Sequence, residues 1–273
     1  MKKSDRRAWV TGASAGIGAA FARRLAQEHF DVALVARSRE RLAALAAELE
    51  KAHGIACDVM PADLTVAAEL QRVADAVAGD AGLELLVNNA GFGTVGPLAE
   101  LDPEREEEEI RLNVTALVRL TRAALPGLIA RGHGSIINVS SMAGFQPTPF
   151  NATYAATKAF VTCFTESLHE ELRGTGVRVQ ALCPGFTRTE FQERAHIDTG
   201  GIPSFAWMTA ESVVESSLAA LRRGAVVYVP GFGNRLLATA ATAMPRAAVR
   251  YVVGAASRRF LATPGRRPRG RGH

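Results

Sequence analysis

The chain is poor in several features that would assign it to other classes of protein. It has three cysteines in 273 residues, Cys57, Cys163 and Cys183, far apart and in apolar surroundings. An odd count without metal spacing argues against a disulfide framework and predicts free, buried thiols in a reducing compartment. The six histidines, at 29, 53, 133, 169, 196 and 273, have no ligand spacing, so no metal is expected. No uncharged apolar stretch reaches the ~18 residues of a membrane span. The N-terminal Met1 to Arg7 runs into a strand-like segment without the apolar run of a signal peptide. A soluble cytoplasmic protein is the expectation. Acid is absent from residues 258–273, which hold six arginines: Arg258, Arg259, Arg266, Arg267, Arg269 and Arg271. These exceed the whole formal charge of +5 and leave the rest of the chain one unit negative. The basicity belongs to the tail, which argues against a nucleic-acid groove across the body.

What remains is an ordinary globular composition, 48% hydrophobic and 22% charged, long enough for one large α/β domain. Strand and helix patterns alternate. Ala8–Thr11 reads as a buried strand running into Thr11-Gly12-Ala13-Ser14-Ala15-Gly16-Ile17-Gly18, with an alanine-rich helix behind it. Glycines at 12, 16 and 18 permit a tight turn, close backbone approach and close helix–strand packing. Free amides at the helix start then favour a pyrophosphate. The second strand, Asp31–Ala36, ends at Arg37, with Ser38, Arg39 and Arg41 close behind. An acid there would suit the ribose hydroxyl of NAD, whereas an arginine suits the 2′-phosphate of NADP. The plainer alternative is that these arginines solvate the following helix.

A third strand, Ile55–Pro61, leads to Asp63 and Leu64. Asp63 reads either as the N-terminal acid of the next helix or as an acceptor for an adenine amine. Leu83–Val87 is a continuous apolar run, a candidate central parallel strand. It ends in Asn88-Asn89-Ala90-Gly91-Phe92-Gly93, where paired amides can tie strand ends together and small residues let a cofactor pass. Residues 104–131 read as one long helix, with Glu106–Glu109 as a solvated acidic face complementing the dipole. Asn113, polar among Leu112, Val114 and Leu117, is a structural brace or a site residue. The strand Gly134–Ser141 delivers Ser140 and Ser141 at its C-terminal end. Val177–Leu182 follows, ending in Cys183-Pro184-Gly185-Phe186-Thr187-Arg188-Thr189. Residues 190–209 lack periodicity and are expected to form a substrate-covering lid. A helix at Ala210–Arg223 and a strand at Val226–Pro230 complete the pattern.

The chemistry centres on Tyr154-Ala155-Ala156-Thr157-Lys158. Tyrosine and lysine four apart lie on one helix face, a turn from each other. A phenol is a poor acid at neutrality, and a nearby ammonium favours the phenolate. Roughly three units of depression would amount to about 4 kcal/mol. Such a pair can serve as a general acid and base.

In this order, Thr-Gly-x-x-x-Gly-x-Gly, Asn-Asn-Ala-Gly, Ser-Ser, Tyr-x-x-x-Lys and Pro-Gly resemble the short-chain dehydrogenase/reductase family over residues 6–231. The resemblance implies a Rossmann-type, doubly wound α/β fold: a mostly parallel, seven-stranded sheet with helices on both faces. It implies an NAD(P)-dependent oxidoreductase interconverting a carbonyl and a secondary alcohol, with NADP favoured. By motif, Tyr154 is the acid/base and Lys158 lowers its pKa and holds the nicotinamide ribose. Ser141, thirteen residues before Tyr154, orients the substrate oxygen, and Asn113 completes a proton relay. Gly12, Ser14, Gly16, Ile17 and Gly18 form the pyrophosphate turn, and Arg37 reads the 2′-phosphate. Asp63 and Leu64 meet adenine, while Asn89, Ala90 and Gly91 lie on the ribose side. Pro184, Gly185, Thr187 and Thr189 hold the nicotinamide. Ala15 departs from the pattern, because many NADP-preferring relatives have a basic residue there. A homodimer or homotetramer is the family expectation.

Phe145, Pro147, Phe150, Phe191, Phe205 and Trp207 imply an apolar pocket and a hydrophobic substrate. Beyond Gly231 the chain leaves the family core. Residues 232–262 read as a helical extension broken at Pro245, and 263–273 as a disordered basic tail. The extension, with five arginines and no acid between Asn234 and Leu261, packs on the body or an oligomer contact, or else lies on anionic lipid. Its lack of a bilayer-spanning apolar run favours packing. A non-catalytic NADP sensor is the competing function. Sensors of this fold would be expected to lose tetrad side chains, and all four are here.

Overall fold

Seven parallel strands form the central layer of the computed structural model, which describes residues 6–190 and 204–260. In chain order the elements begin β1 (Arg7–Thr11), α1 (Gly16–Gln27), β2 (Asp31–Ala36), α2 (Arg39–His53), β3 (Cys57–Pro61) and α3 (Ala67–Ala78). Next come β4 (Leu83–Asn88), α4 (Pro103–Ile110), a π-helical segment (Arg111–Ala116), α5 (Leu117–Arg131) and β5 (Gly134–Val139). The chain continues through α6 (Ala152–Glu171), β6 (Val177–Leu182), the short β7 (Thr187–Arg188) and β8 (Met208–Thr209), and α7 (Ala210–Arg222). It ends with β9 (Val227–Tyr228), α8 (Phe232–Ala243) and α9 (Arg246–Phe260). The sheet runs β3-β2-β1-β4-β5-β6-β9, so the winding reverses between β1 and β4. Such a reversal opens a crevice at the strands' carboxyl ends.

Alternation along the strands builds two cores. Val10, Leu34, Val87 and Ile137 face α1, α2 and α7, meeting Phe21, Leu25, Leu42, Leu49 and Val213. Trp9, Val35, Leu86 and Ile136 face α3, α5 and α6, meeting Val73, Val77, Leu120, Leu128 and Leu168. Each fully buried large side chain contributes about 1.5–3 kcal/mol, which holds the strand ends in register at the crevice.

Two expectations change, and a third is untested. The helix expected over 104–131 is interrupted by the wide π turn at 111–116, in which the buried Asn113 reaches sideways to the backbone of Phe92. The cysteines are free, but only Cys183 is buried. Cys163 sits on the outward face of α6, whose inward positions are 155, 158, 161, 162 and 165. The expected lid lies for residues 191–203 outside the described residues, as does the tail 263–273. Among the described residues, no helix is long and apolar enough to cross a membrane.

Candidate active site

The carboxyl ends of β1, β2, β4, β5 and β6 open into one cleft of about 1230 Å³. Every residue expected to contact a cofactor lines it except Gly18. Gly12 and Gly16 have φ of +66° and +54°, which favours glycine. A Cβ on Gly12 would lie 2.7 Å from Asn89 Nδ2, and one on Gly16 3.0 Å from Thr189. Gly18 stands behind the turn, where a Cβ would come within 2.3 Å of the Gly12 carbonyl. α1 begins here with no side-chain cap and no acid in its first turn. Its leading amides carry positive potential beside the cleft, a fit to an anionic phosphate. Thr11 and Asn89 bind the two strand ends: Asn89 Nδ2 donates to the Thr11 carbonyl at 2.9 Å. Thr11 Oγ1 accepts the amides of Asn89 and Ala90 at 2.9 and 3.0 Å.

At the far end Arg37, its side chain 68% exposed, lies 4.0 Å from Asp63. Arg41 reaches the same wall and is bonded to Glu190 at 2.8 Å. Asp63 Oδ1 accepts from both the amide and hydroxyl of Thr65, at 2.9 and 2.7 Å. Burial would raise this carboxyl's pKa, but the Thr65 bonds and the Arg37 charge hold it below the ordinary value.

The four residues expected to do chemistry converge from three segments. Tyr154 and Lys158 stand on α6. Ser141 follows β5 and caps the turn Met142–Phe145 by accepting from the Ala143 amide at 3.1 Å. The Ser141 hydroxyl stands close enough to that of Tyr154 to bear on its ionisation. Lys158 is 5% exposed and donates to the Val139 carbonyl at 2.8 Å. Asn113 stands just behind the cleft wall: a Cβ on Gly91 would lie 2.8 Å from Asn113 Oδ1 and 3.5 Å from Lys158 Nζ.

The electrostatics correct one expectation. Burial pushes the Tyr154 hydroxyl up to about 12, partly offset by the Ser141 hydroxyl, and the charge of Glu109 raises it further. Burial pushes Lys158 down to about 8, against the opposing pull of Glu109. Lys158 Nζ lies 5.6 Å from the Tyr154 ring centroid. Desolvation is the largest influence on Tyr154 and holds its hydroxyl above the ordinary value, so the expected depression is not seen.

Sequence reasoning missed several neighbours. Glu106 and Glu109 are buried, 9% and 0% exposed, rather than part of a solvated face. Gly93 packs on the tyrosine, since a Cβ there would sit 2.8 Å from Tyr154 Cδ2. The unused serine, Ser140, donates to the Lys158 carbonyl at 2.7 Å and so fixes α6 to β5. Of the apolar residues expected at the pocket, Phe145 lines it, whereas Pro147, Phe150 and Trp207 do not. Trp207 instead packs on Phe186, which does line it, with ring centroids 5.7 Å apart. Phe191 lies outside the described residues. The i, i+3 spacing of Glu106 and Glu109 was the available signal for a shared inward face. For Phe186 there was none beyond its place in the motif.

A family model described as short chain dehydrogenase matches residues 6–199. The chain is 36% identical over 220 residues to a very-long-chain 3-oxoacyl-CoA reductase of Anas platyrhynchos, covering 77% of this chain and 68% of that one. Its fold is similar to that of a short-chain dehydrogenase from Sphingobium yanoikuyae in complex with NADPH. The TM-score is 0.80 at 36% identity, covering 96% of this chain and 97% of the other. A bulky-bulky ketone specific alcohol dehydrogenase from Comamonas testosteroni is also similar, with a TM-score of 0.76 at 31% identity over 89% of this chain and 96% of that one.

Proposed function

This chain belongs to the short-chain dehydrogenase family, whose members are oxidoreductases of carbonyl and CH–OH groups, and we propose that it is an NADPH-dependent reductase of a hydrophobic ketone or aldehyde. The observation that carries the reading is that Ser141, Tyr154 and the buried Lys158 line one cleft, tyrosine and lysine a helical turn apart. When bound, the cofactor supplies a hydride to a carbonyl carbon. Tyr154, protonated at neutral pH, gives its proton to the carbonyl oxygen as negative charge develops there. The Ser141 hydroxyl, which stands beside that of Tyr154, turns to donate to the same oxygen. Lys158, an ammonium below about 8, stabilises the negative charge left on Tyr154. Asn113 stands where it would complete a proton relay through Lys158 and a water. Reduction is the direction that a protonated tyrosine suits.

Arg37, where β2 ends without an acid, supports NADP over NAD, with Arg41 in the first turn of α2 on the same wall. The glycine turn would hold the pyrophosphate, Asp63 and Leu64 the adenine, Asn89 to Gly91 the ribose, and Pro184 to Thr189 the nicotinamide. Phe145, Phe186, Leu237, Ala241 and Val253 give the remaining cleft an apolar wall, which supports a hydrophobic substrate body. We place the protein in the cytoplasm as a homodimer or homotetramer.

The extension packs on the body through Ala238, which joins Ala181, Cys183 and Val229. Its outer face exposes Phe232, Leu236 and Tyr251 beside the exposed Arg235, Arg246 and Arg250, which supports a peripheral contact with anionic lipid. Equal co-sedimentation with anionic vesicles before and after deletion of 232–273 would remove that part of the reading.

The decisive assay follows oxidation of NADPH and NADH over a panel of ketones and aldehydes, with Tyr154→Phe as control. Turnover with NADPH that the variant loses is expected. Tight NADPH binding without turnover on any carbonyl would favour a sensor.

A further inference from the structure

Glu106 and Glu109 project from α4 toward the rear of the site. Glu106 Oε2 accepts from the Thr153 hydroxyl, one residue before Tyr154. Glu109 Oε2 accepts from both the amide and the hydroxyl of Thr94, at 2.8 and 2.9 Å. The other oxygen of each carboxyl is buried with no hydrogen-bond partner among the described residues. A buried, half-satisfied carboxylate is costly, so its surroundings have to compensate it or use it.

The geometry around Glu109 leads directly to the reacting pair. Thr94 is held from one side by Glu109 and from another by Asn151, whose Nδ2 donates to the Thr94 carbonyl. The preceding residue, Gly93, lies flat against the Tyr154 ring. Across this segment, Lys158 and Tyr154 both fall within electrostatic range of the Glu109 carboxyl.

We propose that Glu109 is a positioning residue for Tyr154 and Lys158, locking the Gly93–Thr94 backbone against the tyrosine ring and supplying the buried counter-charge that keeps Lys158 an ammonium. The proposal rests on the reading of that pair as the acid and its charged partner. The groups facing Glu109 are few. Glu106 comes from its own helix, Lys158 and Tyr154 come from α6, and residues 89–97 carry no charge. Burial pushes Glu109 up to about 7; the Thr94 bonds oppose this, Glu106 adds to it, and Lys158 opposes it. Its titration thus adjoins that of Lys158 at about 8, and each charge bears on the other beside the larger effect of burial.

The test is Glu109→Gln, which keeps the shape and the acceptor for Thr94 but removes the charge. With saturating NADPH, the wild-type kcat profile should show an inflection near neutrality. In the variant that inflection should vanish, and the limb set by Lys158 should move about one pH unit lower. A uniform loss at every pH, with the shape unchanged, would reduce Glu109 to a brace and overturn the proposal. A second readout needs neither turnover nor a folded Gln variant. Infrared titration of the wild-type holoenzyme should show a buried carboxyl ionising near neutrality, displaced upward in Lys158→Met. Absence of that band, or its indifference to Lys158→Met, overturns the proposal even if the reductase reading stands. Absence of turnover in the wild type with the band present would count against the reductase reading alone.

Discussion

The Asn113 side chain pairs with both backbone groups of Phe92: Nδ2 donates to the carbonyl at 2.8 Å, and Oδ1 accepts from the amide at 3.1 Å. Nδ2 also donates to Thr157 Oγ1 at 3.1 Å, and that hydroxyl donates to the Tyr154 carbonyl at 2.8 Å. One amide, 1% exposed, therefore joins the loop at the cleft wall to the helix that carries Tyr154. Asn113→Ala leaves buried partners unpaired at a cost of about 2–3 kcal/mol. Thermal denaturation should register this as a fall in Tm of roughly 4–10 °C. An unchanged Tm would mean that water replaces the amide and that the bridge is dispensable.

Gly93→Ala should damage the rate more than binding. The added Cβ would sit 2.8 Å from Tyr154 Cδ2 and 3.0 Å from its Cγ, so the ring has to move. Misplacing a reacting group by a fraction of an ångström to an ångström costs on the order of 100-fold. We expect kcat to fall by that order while the Kd for NADPH, measured by fluorescence titration, stays within about twofold. Equal loss of both would place the damage in the loop as a whole.

Arg37→Ala should weaken NADPH and spare NADH. A charge-assisted contact to a phosphate contributes about 1.5–3 kcal/mol, or roughly 10- to 100-fold in KM for NADPH. Arg41 is committed to Glu190, so Arg41→Ala should have the smaller effect. Parallel changes for both cofactors in Arg37→Ala would show that the side chain only solvates the start of α2.

Stability should depend on pH through Lys158 and Glu109 with opposite signs. Lys158 titrates at about 8 in the fold against an ordinary 10.5, so between these values the unfolded chain binds more protons and stability rises with pH. Below about 8 the fold bears the full cost of a buried ammonium, roughly 3 kcal/mol. Glu109 is raised to about 7 from 4.5, so there the folded chain binds more protons and stability falls as pH climbs through that range. Lys158→Met removes the first effect. The Tm difference between variant and wild type should be largest in the variant's favour near neutrality and narrow from about pH 8 to 10.5. A difference independent of pH would refute the depressed lysine.

The order of elements and the cofactor-facing part of the cleft lining were legible in the sequence. The turn after β1 needs glycines at 12 and 16, because residues with a side chain rarely take those φ values and a Cβ there would crowd Asn89 and Thr189. Parallel strands buried on both faces appear as runs such as Val-Ala-Leu-Val and Leu-Leu-Val, and Tyr154 and Lys158 share a helix face at any fold. These are local constraints, written in neighbouring residues.

What only the tertiary structure decided depends on partners distant in sequence. Four consecutive glutamates look alike in a string, yet packing against Thr94 and Thr153 turns Glu106 and Glu109 inward and leaves Glu107 outside. Nothing local marks the π turn at 111–116, which exists because Asn113 must meet Phe92, 21 residues away. The pair at 154 and 158 was visible, but its protonation was not. Spacing places an ammonium near a phenol; the surrounding core decides that desolvation raises the phenol and lowers the ammonium. Burial is a property of the whole fold, and the chemistry of this site is set by burial.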